Sequence, residues 1–182
     1  LWYCDSVEVA RVTATRFLDA VYLSFVQHAI IEHCTLYENG RYGLHTMYCQ
    51  ENALLHNLFT RNIAGSALMF SNHLLVESCD FLDNRGPPTY GLLLRDCSDG
   101  EFRHNRLIHN TIALFLDGSN RNAIHDNLLQ DNGWGILLFS SCAGNRVVRN
   151  NFIANDYPLA LDMRYSDNAF SDGRDGNYWT EN

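Results

Sequence analysis

Asparagine recurs at nearly constant intervals near the ends of short apolar runs, and this repeat constrains the fold more than any other feature of the sequence. The members of the series are 22, 26, 22 and 23 residues apart: Asn62, Asn84, Asn110, Asn132 and Asn155. A second series precedes it by five positions in each unit: Asn57, Cys79, Asn105, Asn127 and Asn150. Self-similarity with a period of about 22 residues predicts a stacked repeat architecture.

Each unit also contains an alternating apolar run that opens with a small residue. The runs are GLHTMYC from Gly43, GSALMFS from Gly65, GLLLRDC from Gly91, ALFLDGS from Ala113 and GILLFSS from Gly135. Alternation with a period of two is typical of β-strands, because successive side chains point to opposite faces of a sheet. We therefore predict that one sheet contains strands over residues 44–48, 66–70, 92–95, 114–117 and 136–139. Its inward-facing residues should include Leu94, Leu116 and Leu138.

The repeat predicts an all-β fold, a right-handed parallel β-helix of about eight coils. A single coil cannot bury its own apolar side chains, whereas stacked coils share one continuous core. A leucine-rich-repeat horseshoe has a similar period, but its leucine consensus and convex helices are missing, and a β-propeller needs units of about 40 residues or more. With 46% hydrophobic residues and no compositional shift, the 182 residues should form a single domain, 1–182.

Charge and hydropathy exclude two classes of partner. The net charge is −8, with 13 Lys and Arg residues and no basic run, so nucleic acid is not an expected partner. No stretch of 18 uninterrupted apolar residues is present, which argues against direct membrane insertion. The opening LWYCDSVEVA does not have the layout of a secretory signal and has no initiator Met, so we expect the sequence to be a fragment of a longer chain.

Six cysteines could form three disulfides, but the repeat predicts free thiols instead. Cys49 and Cys97 occupy equivalent positions two coils apart, and so do Cys34 and Cys79. Two coils correspond to about 9.6 Å at the usual strand spacing, well beyond the Cα separation of about 7 Å that a disulfide can bridge. These cysteines should be small inward-facing core residues, with a metal or redox role as the alternative.

The outer face of the predicted sheet carries a possible metal site. The alternation that turns Leu44 and Thr46 inward turns His45 and Met47 outward, and Met69 takes the position of Met47 on the next coil. Two thioethers and an imidazole form a soft ligand set that suits Cu(I) and does not suit Mg, Ca or Mn. The alternative is that the methionines fill irregular gaps beneath an adjoining segment.

The same face also carries an apolar stripe larger than scattered exposed residues would explain, which consists of Leu93, Phe115, Leu137 and Phe139. Either further chain covers this stripe or it is a docking surface for another protein. Three other histidines immediately precede the ladder position: His56 and His104 precede Asn57 and Asn105 of the second series, and His33 precedes Cys34, at the equivalent position of an earlier coil. At that position of a turn, we expect them to point into solvent.

An enzyme or carbohydrate-binding protein is the competing functional class, because polysaccharide lyases, epimerases and hydrolases use the β-helix scaffold. Such an enzyme needs clustered carboxylates, or carboxylates with a base, on one outer face. Two acidic clusters are present: Asp96, Asp99 and Glu101, and Asp162, Asp167, Asp172 and Asp175. Both lie in turns or in the Gly-rich SDGRDGNYW segment, where solvated carboxylates are the ordinary interpretation.

Several longer strings resemble the NosD family, and the resemblance runs over most of the chain. They are RYGLHTMY at Arg41–Tyr48, AGSALMFS at Ala64–Ser71, NRGPPTYGLLLRDC at Asn84–Cys97, LFLDGS at Leu114–Ser119 and GNYW at Gly176–Trp179. Generic β-helix coils share the Asn and Gly punctuation but not these strings.

The resemblance implies a noncatalytic, copper-binding periplasmic protein. Such a protein works with an ABC transporter and copper chaperones to assemble the copper-sulfide centre of nitrous oxide reductase. It makes His45, Met47 and Met69 the candidate ligands of copper, as Cu(I). The chain starts within a coil and stops at GNYWTEN, where the family continues, so further ligands or transporter contacts are expected in the missing parts.

Overall fold

A computed structural model describes residues 1–139, 141–162 and 167–180, which form three parallel β-sheets and contain no helix. One sheet, the long-strand sheet, has seven strands: β3 (Asp19–Ser24), β6 (Tyr42–Met47), β9 (Ala64–Met69), β12 (Tyr90–Arg95), β15 (Ile112–Asp117), β18 (Trp134–Phe139) and β21 (Tyr157–Asp162). All five strands predicted for this sheet are therefore confirmed.

The other two sheets consist of shorter strands. The first short-strand sheet contains β1 (Glu8–Ala10), β4 (Ile30–Glu32), β7 (Ala53–Leu55), β10 (Leu75–Glu77), β13 (Glu101–Arg103), β16 (Ala123–His125) and β19 (Arg146–Val148). The second short-strand sheet contains β2 (Thr13–Thr15), β5 (Thr35–Tyr37), β8 (Leu58–Thr60), β11 (Asp80–Leu82), β14 (Arg106–Ile108), β17 (Leu128–Gln130), β20 (Asn151–Ile153) and β22 (Tyr178–Trp179). The chain visits the three sheets in turn, so it forms a parallel β-solenoid of about seven coils, close to the eight expected.

A continuous apolar core runs through the solenoid, because equivalent residues of successive coils point inward at the same height. Leu94, Leu116 and Leu138 are fully buried, as predicted. Phe59 and Phe81 are also fully buried, and their rings stack with centroids 4.9 Å apart. Each coil therefore buries its apolar face against its neighbours, which a single coil cannot do.

The asparagine series forms buried ladders that satisfy backbone groups at the corners. Asn132 is typical: its Oδ1 accepts a hydrogen bond from the backbone N–H of Asn110 at 2.8 Å. Its Nδ2 donates to the carbonyl of Leu107 at 2.9 Å and to Oδ1 of Asn155 at 2.8 Å. Because unpaired backbone groups are costly in a core, each asparagine stabilises the turn of the neighbouring coil.

The residue before each ladder position has a positive φ and points outward. His56 and Arg61, with φ of 54° and 53°, precede the buried Asn57 and Asn62. The left-handed conformation turns the chain sharply enough for the next side chain to enter the core. As predicted, the three histidines at such positions are exposed: His33, His56 and His104.

All six cysteines are free, which confirms the prediction that Cys34, Cys49, Cys79 and Cys97 are unbridged. These four are buried in the core, whereas Cys4 is half-buried. The thiol of Cys49 donates to the carbonyl of Leu23, and its backbone N–H donates to Ser71 Oγ at 3.0 Å. Ser71 occupies the equivalent position on the next coil, so thiol and hydroxyl side chains alternate along one ladder. Over the described ranges, no helix has the length and hydropathy needed to cross a bilayer.

Candidate metal centre

The long-strand sheet brings the three predicted ligands together on its outer face. β6 and β9 pair in parallel so that Met47 lies directly beside Met69, and His45 lies beside Ala67. Leu44 and Thr46, which alternate with His45 and Met47 along β6, point inward and are fully buried, so the predicted alternation is correct. The two methionines are half-buried. The register therefore places two thioethers on adjacent strands and an imidazole two residues away on one of them.

His45 is enclosed rather than exposed, with only 9% of its side chain accessible. The rings of Tyr22 and Tyr42 each lie 4.9 Å from the imidazole, between ring centroids. Asp19, on the preceding coil, places Oδ2 3.2 Å from Nδ1 of His45 and also accepts hydrogen bonds from Arg41. His45 thus faces outward, as predicted, but it is buried, because aromatic residues flank it on its own and the preceding coil.

The ionisation of this cluster favours a neutral imidazole beside a charged carboxylate. Burial lowers the pKa of His45 below its usual value, although the hydrogen bond with Asp19 opposes the shift. Burial alone would raise the pKa of Asp19, but the hydrogen bonds from Arg41 and His45 outweigh it and hold the pKa below its usual value. A charged carboxylate can only accept a hydrogen bond, so Nδ1 of His45 carries the proton.

This tautomer leaves the lone pair on Nε2 of His45, and that nitrogen is buried without a hydrogen-bond partner among the described residues. A buried polar atom without a partner costs free energy unless a ligand satisfies it. A carboxylate that holds one nitrogen of a histidine while the other binds a metal is a common outer-shell arrangement. Nε2 is therefore the atom of His45 that is suited to coordinate a metal ion.

The thioether of Met47 lies in the same cluster, since Tyr22 Oη donates a hydrogen bond to its sulfur at 3.5 Å. Met69 packs against the apolar residues of the same outer face. Within the described part of the chain, no group of three or more His, Cys, Asp and Glu side chains could hold a metal ion. The donors that this face does offer, one imidazole nitrogen and two thioethers, fit Cu(I).

The apolar stripe is also on this face, but it forms a small second core rather than an open patch. Leu93 and Phe115 are each only 4% exposed, and Leu137 and Phe139 are partly buried beside them. Tyr42, Tyr90 and Trp134 flank the cluster on one side. The interpretation of Leu93 and Phe115 as exposed residues is therefore wrong, because Tyr90 and Trp134, at the starts of β12 and β18, pack against their cluster.

Members of both acidic clusters considered as catalytic candidates bond to other groups. Asp99 pairs with Arg121 at 2.7 Å, and Glu101 pairs with Arg103 and His125. Asp172 accepts hydrogen bonds from the backbone of its own turn. Asp19, a carboxylate that the sequence did not single out, lies beside the buried His45 on the outer face of the long-strand sheet. Its position one coil before His45 is the signal that could have identified it.

The solved structures that the chain resembles show its fold. The A-module of mannuronan C-5 epimerase AlgE4 from Azotobacter vinelandii matches with a TM-score of 0.75 and 17% identity, over 91% of this chain and 53% of that one. Pectate lyase Pel9A matches with a TM-score of 0.69 and 14% identity, over 85% and 50%. The periplasmic alginate epimerase AlgG, as its T265N mutant, matches with a TM-score of 0.60 and 13% identity, over 92% and 44%.

The chain thus spans about half the length of the solved structures that it matches. At sequence identities this low, the similarity shows only that the chain has the β-helix fold. No curated protein matches the sequence. A family model described as "Periplasmic copper-binding protein (NosD)" matches residues 1–182, the whole of the sequence. The chain belongs to the NosD family.

Proposed function

We propose that this chain is a noncatalytic accessory protein that binds or relays copper in the periplasm, in the maturation of the copper-sulfide centre of nitrous oxide reductase. The observation that carries the proposal is the buried, unpartnered Nε2 of His45 next to two thioethers on paired strands, in a chain whose family is described as copper-binding. Cu(I) is the proposed cargo, held by His45, Met47 and Met69.

The protein residues that surround these donors support a transfer role. Asp19 and Arg41 fix the ring of His45, so the nitrogen ligand is preorganised. Tyr22, by contrast, is 41% exposed and its hydroxyl bonds to the sulfur of Met47. Cu(I) that approached Met47 from outside would displace this hydroxyl, so the side chain of Tyr22 would act as a cover over the site.

We further propose that a copper chaperone and subunits of an ABC transporter are the partners. Two exposed aromatic residues, Tyr48 and Phe70, directly follow Met47 and Met69, and their rings stack with centroids 5.1 Å apart. The partly buried Leu137 and Phe139 lie on the same face, three to four coils away. A partner that delivers or removes copper would contact these residues beside the ligands, with Leu93 and Phe115 supporting them from beneath.

Anaerobic titration of the chain with Cu(I), with Ag(I) as a second soft ion, tests the metal site. The double variant Met47→Leu and Met69→Leu conserves volume and should cost less than about 1.5 kcal/mol of stability. It should lose Cu(I) and Ag(I) binding, because an isolated imidazole is a weak site for either ion. Leu137→Met, which adds a thioether outside the site, is the matched control. Parent-like Cu(I) affinity in the double variant would refute the site.

A polysaccharide-processing enzyme is the second candidate function, and one observation favours it. Asp19, His45 and the rings of Tyr22 and Tyr42 form a carboxylate, a base and two phenols on one outer face, as acid–base catalysis requires. An assay for lyase or epimerase products from alginate and pectate separates the two candidates. Turnover that His45→Gln abolishes would support the enzyme, and Cu(I) binding without turnover would support the accessory protein.

A further inference from the structure

Two histidines on adjacent coils form a stacked pair at the corner between the two short-strand sheets. His33 lies between β4 and β5, and His56 lies at the equivalent position between β7 and β8. Their imidazole rings stack with centroids 5.0 Å apart and an angle of 10° between the planes. Both side chains are exposed. This corner is separate from the outer face of the long-strand sheet, where His45 lies.

The backbone holds the pair in register. Both residues have the same left-handed conformation, with φ of 52° and 54°. The backbone N–H of His33 donates to the carbonyl of Leu55, and that of His56 donates to the carbonyl of Glu77, each at 3.1 Å. Their side chains therefore leave two neighbouring strands in the same direction, about 4.8 Å apart. Such a fixed spacing reduces the entropy that two side chains would lose on binding one ion.

No described residue bonds to the ring nitrogens of His33 or His56. Four other histidines bond to carboxylates: His28 to Asp5, His45 to Asp19, His109 to Asp83, and His125 to Asp126. By contrast, neither His33 nor His56 has a side-chain hydrogen bond or an ion pair among the described residues. Two free imidazoles on adjacent coils are thus available to a ligand, which is a different situation from that of a single solvated histidine.

We propose that His33 and His56 form a two-nitrogen site for a divalent transition-metal ion, and that Cu²⁺ is the ion that binds most tightly. Imidazole suits Zn²⁺, Ni²⁺ and Cu²⁺, and affinities in this series are highest for Cu²⁺. Metal–nitrogen bonds of about 2.0–2.1 Å require the two nitrogens to lie at most about 4 Å apart, so the exposed rings would tilt towards each other from their stacked arrangement to share one ion. Water fills the other positions.

This site goes beyond the proposed Cu(I) site in both place and chemistry. It uses two borderline nitrogen donors and no thioether, so its preferred ion is divalent, whereas the donors around Met47 prefer the monovalent ion. The two proposals are therefore separable: the variants that remove one site leave the donors of the other intact.

The solenoid itself supplies a matched control in His104. This histidine occupies the same corner two coils after His56, also with a positive φ, of 55°. Ser78 and Asp126 occupy the equivalent positions on its two neighbouring coils, so His104 has no histidine beside it. Asparagine is the suitable replacement at all three positions, because it adopts the left-handed conformation more readily than alanine does.

The test is a Cu²⁺ titration of the 182-residue chain in a buffer that does not chelate copper, followed by electron paramagnetic resonance and calorimetry. The parent should bind one Cu²⁺ with a spectrum of two equatorial imidazole nitrogens. Loss of an outer-shell partner already costs about 10- to 100-fold in metal affinity, so His33→Asn or His56→Asn should each weaken this binding at least about tenfold.

His104→Asn should keep the affinity and the spectrum of the parent, and so should the double variant Met47→Leu and Met69→Leu. The proposal is overturned if His104→Asn weakens Cu²⁺ binding as much as His33→Asn does, or if both single variants retain the two-nitrogen spectrum. Thermal unfolding of each variant checks that the solenoid is intact. Because the Cu(I) site is measured separately with Ag(I), the failure of either proposal leaves the other standing.

Discussion

The carboxylate of Asp19 lies 3.2 Å from Nδ1 of His45, although 26 residues separate the two in sequence. One coil of the solenoid accounts for this separation, since β3 and β6 are neighbouring strands in which Asp19 pairs with Tyr42 and Tyr22 pairs with His45. Arg41 binds the same carboxylate. The ring of His45 is thus oriented from the coil before it, while the thioether of Met69 comes from the coil after it.

Asp19→Ala should weaken Cu(I) binding about 10- to 100-fold, the usual cost of losing an outer-shell partner of a metal ligand. Without the carboxylate, the imidazole loses its fixed tautomer and orientation. Competition with a Cu(I) chelator measures the affinity. Asp5→Ala is the matched control, because Asp5 binds Nδ1 of His28 at 2.7 Å on an exposed corner. Equal affinities in Asp19→Ala and the parent would show that His45 does not coordinate copper.

The strand register could be predicted from the sequence, but the enclosure of His45 could not. Period-two alternation predicts two outward-facing positions on each long strand, and on β6 these are correctly His45 and Met47. The structure adds a third outward-facing position to each long strand, because the alternation is interrupted at Gly43. The strand pairing there passes from Tyr42 directly to Leu44. A Cβ on Gly43 would lie 2.5 Å from the carbonyl oxygen of Gly65, so only glycine fits where the alternation is interrupted. Tyr42 also faces outward, because its ring lies against that of His45.

The same interruption of the alternation explains why the sequence predicts the apolar stripe to be uncovered. Tyr90 and Trp134 occupy this third outward-facing position on their coils and pack against the cluster that contains Leu93 and Phe115. Alternation alone treats these aromatic residues as inward-facing and leaves the stripe uncovered. Asp19 was missed for the same reason, because it pairs with Tyr42 of the next coil and therefore occupies a position that alternation alone treats as inward-facing.

Asn132→Leu should destabilise the chain by about 3 kcal/mol or more, because it leaves several buried polar groups of neighbouring coils without partners. Asn132 is 2% exposed and bonds to Asn110, Leu107 and Asn155. Urea unfolding followed by circular dichroism measures the loss. The exposed Asn151, on β20, is the control: Asn151→Leu should change stability by no more than about 0.5 kcal/mol. Similar effects of the two substitutions would contradict a structural role for the ladder.

The thiols of Cys79 and Cys97 should resist alkylation in the folded protein. Burial raises the pKa of both to about 12, so almost no thiolate is present at pH 8. Cys4 is half-buried at the first coil and should react first. Mass spectrometry of iodoacetamide-treated protein at pH 8 should find Cys4 labelled in native buffer, with all six labelled only after denaturation. Labelling of Cys79 as fast as Cys4 would mean that the core opens locally.

Asp126 should make stability depend on pH in acid. The hydrogen bonds from Arg149 are the main cause of its lowered pKa, of about 2; burial opposes the shift and His125 adds to it. Because the pKa in the unfolded chain is near 3.8, the folded form gains stability that is fully present above about pH 4 and is lost as the pH falls towards 2. Asp126→Asn should therefore lower stability by about 1–2 kcal/mol at pH 7.

The difference in unfolding free energy between this variant and the parent should shrink as the pH falls from 4 to about 2, the folded-state pKa. Asp156→Asn, at an exposed turn position, serves as the control and should change stability at pH 7 by no more than about 0.5 kcal/mol. Urea unfolding at a series of pH values provides both curves. A gap between Asp126→Asn and the parent that stayed constant down to pH 2 would mean that the ionised Asp126 carboxylate gains no extra stability from Arg149 in the folded solenoid.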